Sequence, residues 1–327
     1  MHHRLTWLTL ACLIVTGTAL AAAPEEADVQ GLYEGVCATG GAKLNVEARV
    51  VATGDRKYDV FLREMAASGE TKALGKIEGK TEGDAVLFAG KVGDAVWAGV
   101  FSGGAIAGRC GSGKWALKRV ERKPPSLGAK PPRNAVVLLA VGEKDFNEVV
   151  VRKDKNGNQA EWVAGDDGGF VVPKRGFDSK QRFTGPFRAH VEFKCPLMPK
   201  GRSQGRGNSG CYLPNGNEIQ VLDSFGMTTY TGGGCGGLYK WKDTDTFDAF
   251  SLASLPPLQW QTYDIEYRVD TKDGKPTGKP RLTVWHNGIK IHDNVEMKGN
   301  AREGSFNFQD HGNPVQYRNI WVAPMEE

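Results

Sequence analysis

Hydrophobic and polar residues alternate in short runs along most of this chain, and no segment sustains a helical period. In the first third, "YDVFL", "AVLFAG", "AVWAGVFSG" and "WALKRV" are separated by Gly and Asp turns, a pattern that predicts a small antiparallel β-barrel or sandwich, lipocalin-like or similar. Further on, "AVVLLAV", "FRAHVEFKC", "GCYLP", "EIQVLDS", "QTYDIEYRV", "RLTVWHNGIKIHD", "SFNFQ" and "YRNIWVAP" follow at sandwich-like intervals. They predict a larger all-β domain built as a two-sheet jelly roll. Asn287-Gly288, set between alternating apolar residues, predicts a hairpin with a two-residue type I′ turn.

Residues 121–133, ERKPPSLGAKPPR, break this pattern with four prolines and no apolar period, which marks a stiff, extended linker. The start of the chain differs again. A basic MHHR precedes the apolar stretch from Leu5 to Leu20, and Ala19-Leu20-Ala21 or Ala21-Ala22-Ala23 offers a small-residue cleavage site, so an export signal is expected. Cys12 lies too early in that stretch for a lipid anchor. The expected organisation is a signal peptide at 1–23, a small all-β accessory domain at 24–120, the linker at 121–133 and the jelly roll at 134–327. No later segment approaches the roughly 20 apolar residues of a membrane span, so the exported chain is expected in the periplasm or outside the cell.

Export changes how the cysteines are read. Six less Cys12 leaves five, Cys37, Cys110, Cys195, Cys211 and Cys235, in a compartment that permits disulfides. Cys37 with Cys110 would bracket the first domain, Cys211 with Cys235 is the second expected pair, and Cys195 would stay free. None of the spacings suggests zinc. The net charge of +4, or +3 once Arg4 is removed, comes from bases interspersed with acids, without the basic stripe and interleaved aromatics of a nucleic-acid binder.

Several short motifs fail on context. "GRGNSG" matches G-x-G-x-x-G, but a strand rather than a helix follows it, which excludes a dinucleotide site. Ser209 lacks the G-x-S-x-G frame and helix of a nucleophile elbow. "DKNGNQAE" from Asp154 has its glycine at the wrong place for a calcium loop and reads as a turn, and Asp243, Asp245 and Asp248 read as a solvated loop.

The candidate chemistry lies in "GNEIQVLDSFG". Alternation puts Glu218 and Gln220 on one face and Ile219 and Val221 on the other, and a bulge near Leu222 would bring Asp223 round to the polar side. In "FRAHVEFKC" the apolar Phe187, Ala189, Val191 and Phe193 alternate with Arg188, His190, Glu192 and Lys194. The densest polar group is Gln309, Asp310, His311, Asn313, Arg318 and Asn319, with a histidine beside an aspartate on a glycine turn, suited to proton transfer or metal ligation.

"GRGNSGCYLPNGNEIQVLDSFG", "CGGLYKW", "PPLQWQTYDIEY", "VWHNGIKIHD" and "FQDHGNPVQYRNIW" together resemble the 3-keto-disaccharide hydrolase family, a concanavalin-like jelly-roll family, from about Ala135 to Pro324. The chain departs from that family at Ala253-Ser254-Leu255, where members often carry a further cysteine. The resemblance implies exported action on glycosides already oxidised to a ketone at C3. Matched motif by motif, it implies Glu218, His311 and Asp223 as catalytic residues and Asn208, Gln220, Gln309, Asp310 and Arg318 as substrate-binding residues. On that basis the base is Glu218 or His311, and Gln220, Arg318 or a divalent cation stabilises the C3 oxyanion. Glu218 and His311 would suit a metal ion without specifying one.

Two rivals remain open from the sequence. E-x-Q-x-x-D echoes the E-x-D-x-x-E strand of laminarinase-type glycoside hydrolases. Alternatively, the groove is a carbohydrate-binding module that stacks sugars on Trp241, Trp260 or Tyr239. The expected partner is a carbohydrate substrate, with no nucleic acid and no membrane span, and the N-terminal domain is left to contact another protein or a glycan.

Overall fold

The computed structural model describes residues 23–39, 41–226, 232–245 and 253–325, so the expected export signal, apart from Ala23, lies outside the described residues, as does Asp248. After a one-turn helix (Glu26–Val29), eight strands form a closed antiparallel barrel: β1 (Gly31–Thr39), β2 (Ala42–Gly54), β3 (Lys57–Met65), β4 (Thr71–Glu82), β5 (Ala85–Val92), β6 (Ala95–Ser102), β7 (Ala105–Cys110) and β8 (Gly113–Val120). Each strand pairs with the next, and β8 returns to β1. The alternation read from the sequence fills the barrel with side chains, among them Val46, Ala48, Val50, Tyr58, Val60, Phe88, Trp97 and Trp115. Cys37 and Cys110 form the disulfide expected of them, tying β1 to β7 across 73 residues of sequence.

The rest of the chain is the expected two-sheet sandwich. One sheet runs in the order β10 (Val149–Val151), β13 (Phe177–Ser179), β20 (Asn307–Phe308), β15 (Asn208–Tyr212) and β16 (Glu218–Leu222). The other is ordered β11 (Val163–Ala164), β12 (Phe170–Val171), β21 (Gln316–Pro324), β14 (Phe187–Lys194), β17 (Gln261–Lys272), β18 (Lys275–His286) and β19 (Ile289–Glu296), with β9 (Val136–Leu139) also on β21. Between the sheets lie stacked and edge-on rings such as Phe177, Phe308 and Tyr317. The β18–β19 hairpin turns at Asn287-Gly288, both at positive φ, as a type I′ turn requires.

The expected Cys211–Cys235 bond is absent. Cys195, Cys211 and Cys235 are all buried thiols, and Cys235 Sγ lies 3.1 Å from the Tyr263 hydroxyl instead of reaching another sulfur. These three side chains serve as small apolar fillers of the core.

Barrel and sandwich meet over Phe225, which packs on Leu32 and Val51, with the Arg49 guanidinium 5.4 Å above its ring. Beside it Glu47 is buried among Arg49, Arg63 and Arg122, which together hold its carboxyl below the usual range although burial pushes it up. Arg202 donates to the Thr53 carbonyl at 2.7 Å and Lys200 pairs with Asp55 at 2.6 Å, closing the margin.

The proline-rich segment is not a free spacer. It turns at residues 125–128 and crosses the outer face of the larger sheet as a strap. There His190 and Glu192, which the alternation of β14 turns away from the core, are wholly buried. His190 Nδ1 is 2.7 Å from Asp264, its Nε2 is 3.4 Å from Glu192, and its ring stacks on Trp321. Arg318 and Asn319 both donate to Glu192. The strap completes the group: Ser126 Oγ donates to Asp264 at 2.5 Å, Gly128 N–H to Glu192 at 2.6 Å, and the Ala129 carbonyl accepts from Asn319 and Trp321.

Burial works against the charges of this cluster, but hydrogen bonds from His190, Asn319 and Arg318 outweigh it and hold Glu192 down at about 2, while Asp264 and Glu192 raise His190. The stabilisation from Glu192 is therefore full above its ordinary value of 4.5 and lost as pH falls toward about 2. That from His190 is full below its ordinary 6.5 and lost as pH climbs through its raised value. Replacing Glu192 with Ala should cost about 3–5 kcal/mol in denaturant unfolding, because it strands buried charge. Trypsin cleavage after Arg133, the strap base whose next residue, Asn134, permits it where the prolines after Lys123 and Lys130 do not, should be slowest between those two limits and speed up at alkaline pH, relative to an unfolded peptide carrying the same bond. A profile that is flat in the wild type, or identical in His190→Gln, would contradict this account of the strap.

Candidate active site

Register sets the site. Across the smaller sheet Val150 opposes Asp178, Asp178 opposes Asn307, Asn307 opposes Tyr212 and Tyr212 opposes Glu218, one transverse row on the outer face. The neighbouring row, Phe177, Phe308, Cys211 and Ile219, faces the core. From Val150 to Tyr212 the outer row runs along a cleft of about 890 Å3, which Arg152, Asp178, Tyr212, Asn307 and Gln309 help to line, and Glu218, at the end of the row, adjoins it behind Tyr212 without lining it. A cleft of that size suits a small-molecule ligand.

Glu218 lies beneath the Tyr212 side chain and is only 8% exposed. Burial raises its pKa above the ordinary carboxylate value, while hydrogen bonding from the Tyr212 hydroxyl and the charge of Lys240 pull the other way. Tyr212 shifts upward for matching reasons, its own burial first and the neighbouring carboxylate second, so the phenol stays protonated. Gln309 Nε2 reaches the same hydroxyl at 3.4 Å. Lys240 comes from the segment that pairs along β16, where Tyr239 N–H donates to the Glu218 carbonyl and Gly236 N–H to that of Gln220. Gly210 is needed here, because a Cβ at that position would collide with Glu218 Oε1.

Gln220 and Asn208 occupy the next part of the face and converge on Gln204. Gln204 Nε2 donates to the Gly233 carbonyl at 2.8 Å, which leaves its Oε1 to accept from Gln220 Nε2 at 2.8 Å and Asn208 Nδ2 at 3.1 Å. Asn313 Oδ1 accepts the Asn208 backbone N–H, so the Gln309–Asn313 turn docks at this end of β15. Asp310 caps that turn through the N–H groups of Gly312 and Arg175, and His311 is exposed on it.

Three expectations need correction. The first concerns Asp223, which does not turn into the groove on a bulge. β16 ends at Leu222, and Asp223 is buried with two Arg206 nitrogens at 2.6 and 3.0 Å on Oδ2 and the Phe225 N–H on Oδ1. It anchors the loop on which the barrel rests. Arg318 belongs to the strap cluster on the other sheet, against Glu192 and 4.1 Å from the Trp260 ring, which removes both Arg318 and Trp260 from the cleft. Finally, Glu218 and His311 are not gathered into a metal site, and among the described residues no group of three or more His, Cys, Asp or Glu could hold a metal ion.

Tyr212, Lys240 and Gln204 were missed. Tyr212 was accessible from the pattern, since Asn208, Gly210 and Tyr212 share one face of a strand by alternation. Lys240 and Gln204 arrive on loops that carry no period. Of the three aromatic residues considered for sugar stacking, Trp241 is 46% exposed and follows Lys240 directly.

Comparison with known proteins adds two findings. The sequence profile of the 3-keto-alpha-glucoside-1,2-lyase-like domain matches residues 145–323. A crystal structure from Parabacteroides distasonis ATCC 8503, described as a candidate glycosyl hydrolase, is 32% identical over 59% of this chain and 85% of that one, with a TM-score of 0.49. No curated protein matches significantly. Among the described residues no helix is long and apolar enough to cross a membrane.

If hydrogen bonding from Tyr212 opposes the effect of burial on Glu218, Tyr212→Phe should raise the Glu218 pKa further and Lys240→Met should raise it less. Carboxyl-carbon NMR titration of the two variants reads this directly. An unchanged or lowered value in Tyr212→Phe would refute the assigned contact.

Proposed function

Because the chain belongs to the 3-keto-alpha-glucoside-1,2-lyase-like domain family, and so to the carbohydrate-active enzymes, we propose that it cleaves glycosides already oxidised to a ketone at C3, with Glu218 as the proton-transfer group. The observation that carries this is a buried carboxyl of raised pKa, set against a phenol on the outer row of an 890 Å3 cleft.

A C3 ketone acidifies the hydrogen on C2. Glu218 takes that proton and the C–H electron pair passes into an enolate with its charge on the C3 oxygen; the enolate then collapses to the C3 ketone and a C1–C2 double bond as the C1–O bond breaks with its electrons on the leaving oxygen, which gains a proton. Water then adds across the double bond, hydroxyl to C1 and hydrogen to C2, so the sum is hydrolysis. In the first step negative charge grows on the C3 oxygen and needs a donor. The protonated Tyr212 phenol and the Lys240 ammonium adjoin Glu218 and are the candidates. Asn208, Gln220 and Gln309 are left to bind sugar hydroxyls, with Asp310 holding the turn that carries His311.

Conventional hydrolysis fits less well. It needs a second carboxyl roughly 5–9 Å from the first, whereas Asp223 is locked to Arg206 and Asp178 stands three strands away, bound to Arg152. A leader-like start and the Cys37–Cys110 bond support an exported enzyme, in the periplasm or beyond.

Glu218→Gln should lower turnover of 3-keto disaccharides by about a hundredfold or more, followed by NMR of products from a panel of ketone and parent glycosides. In the wild type the acid limb of kcat/KM should fall above the ordinary glutamate value of 4.5. Near-normal turnover in the variant would remove Glu218 from this role, and release of sugar from unoxidised β-glucan would favour the conventional route.

A further inference from the structure

We infer that the glycoside taken by this cleft carries an anionic substituent, a carboxylate or sulfate on the sugar, received by Lys180 and Arg302. The inference rests on the cleft being the glycoside site. The lining holds two acids and four bases, and the acids are already matched. Arg152 grips both oxygens of Asp178, at 2.8 Å each, and Arg182 binds the Glu303 carboxylate at 3.1 Å and its carbonyl at 3.0 Å. That leaves Lys180 and Arg302 without a carboxylate among the lining residues.

Arg302 is also placed where it matters. Its guanidinium lies directly over Gly216, in the turn between β15 and β16, where a Cβ would collide with it. Gly216 precedes Glu218 by two residues of chain, no more than about 7 Å. A pyranose ring with one substituent spans that order of distance, so a sugar presenting C2 to Glu218 can present an oxyanion to Arg302. Two like charges facing one cleft repel each other until an anion enters, which is the arrangement that steers and selects anionic ligands. Purely solvated surface charges would show no such selectivity.

The test compares 3-keto disaccharides that differ only at one sugar position, neutral, carboxylate-bearing and sulfate-bearing, on wild type and on Lys180→Gln, Arg302→Gln and the double variant, with unfolding temperature as the folding control. The wild type should favour a charged substrate over the neutral one by about tenfold or more at low salt. Between about 20 and about 300 mM NaCl that preference should shrink, and in the double variant the ratio should fall toward one. Carboxylate and sulfate arms identify which oxyanion is used. Equal turnover of neutral and charged ketones, or a ratio that the double variant leaves intact, overturns the inference while the proposed reaction stands. If no ketone is turned over, calorimetric binding of the unoxidised charged and neutral disaccharides decides: binding that prefers the charged sugar and depends on Lys180 and Arg302 upholds the inference although the reaction fails, and binding without that preference overturns both.

Discussion

The register of five short strands governs the cleft. Side chains alternate with period two, so a slip of one residue between β15 and β16 would carry Glu218 and Gln220 into the core and turn Ile219 and Val221 outward. The aromatic packing of Phe177, Phe308 and Tyr317 beneath the sheet resists such a slip, because the polar groups there, the Tyr317 and Tyr263 hydroxyls, are already bonded to Ser209 and to the Gln220 carbonyl. Core and cleft are thus two faces of a single pairing pattern. Gly210 adds a local condition, since only a residue without a side chain lets the Glu218 carboxylate lie where it does.

Two buried glutamates show how partners decide what burial does. Glu192 has an imidazole, a guanidinium, a side-chain amide and a backbone N–H, and it stays ionised far below the usual range. Glu218 has a phenol and one more distant ammonium, and its pKa goes up. The first is saturated and structural. The second is under-compensated and holds its proton to higher pH than an ordinary glutamate, the state in which a carboxyl is useful to chemistry. Asp223 is structural as well, since Arg206 and the Phe225 N–H bind its carboxylate, yet its complete burial outweighs them and raises its pKa.

Much of the architecture was legible in the order of residues. Alternation exposed both β regions, the Asn287-Gly288 turn and the split of β16 into an apolar and a polar face, while the bracketing of the first domain by Cys37 and Cys110 pointed to their bond. What escaped was whatever depends on packing between distant segments. Nothing local to Arg206 says that it reaches Asp223, and nothing in ERKPPSLGAKPPR says that its serine and backbone will satisfy Asp264 and Glu192. Arg318 is an instructive case: it follows the QDHG turn closely in sequence, yet by then the chain has crossed from the smaller sheet to the larger one. Proximity along the chain, even within one matched motif, is here no proximity in space.

The stretch that matches the family begins at residue 145, after β9 and after the strap. A fragment trimmed to that likeness would leave Ile320, Trp321 and Val322 as a bare edge where Leu139, Val137 and Val136 now sit, and would flood the His190 cluster with solvent. It would also uncap Phe225. Excision for expression, or grafting onto another carrier, preserves these contacts only if the proline-rich segment is retained and the barrel wall is replaced.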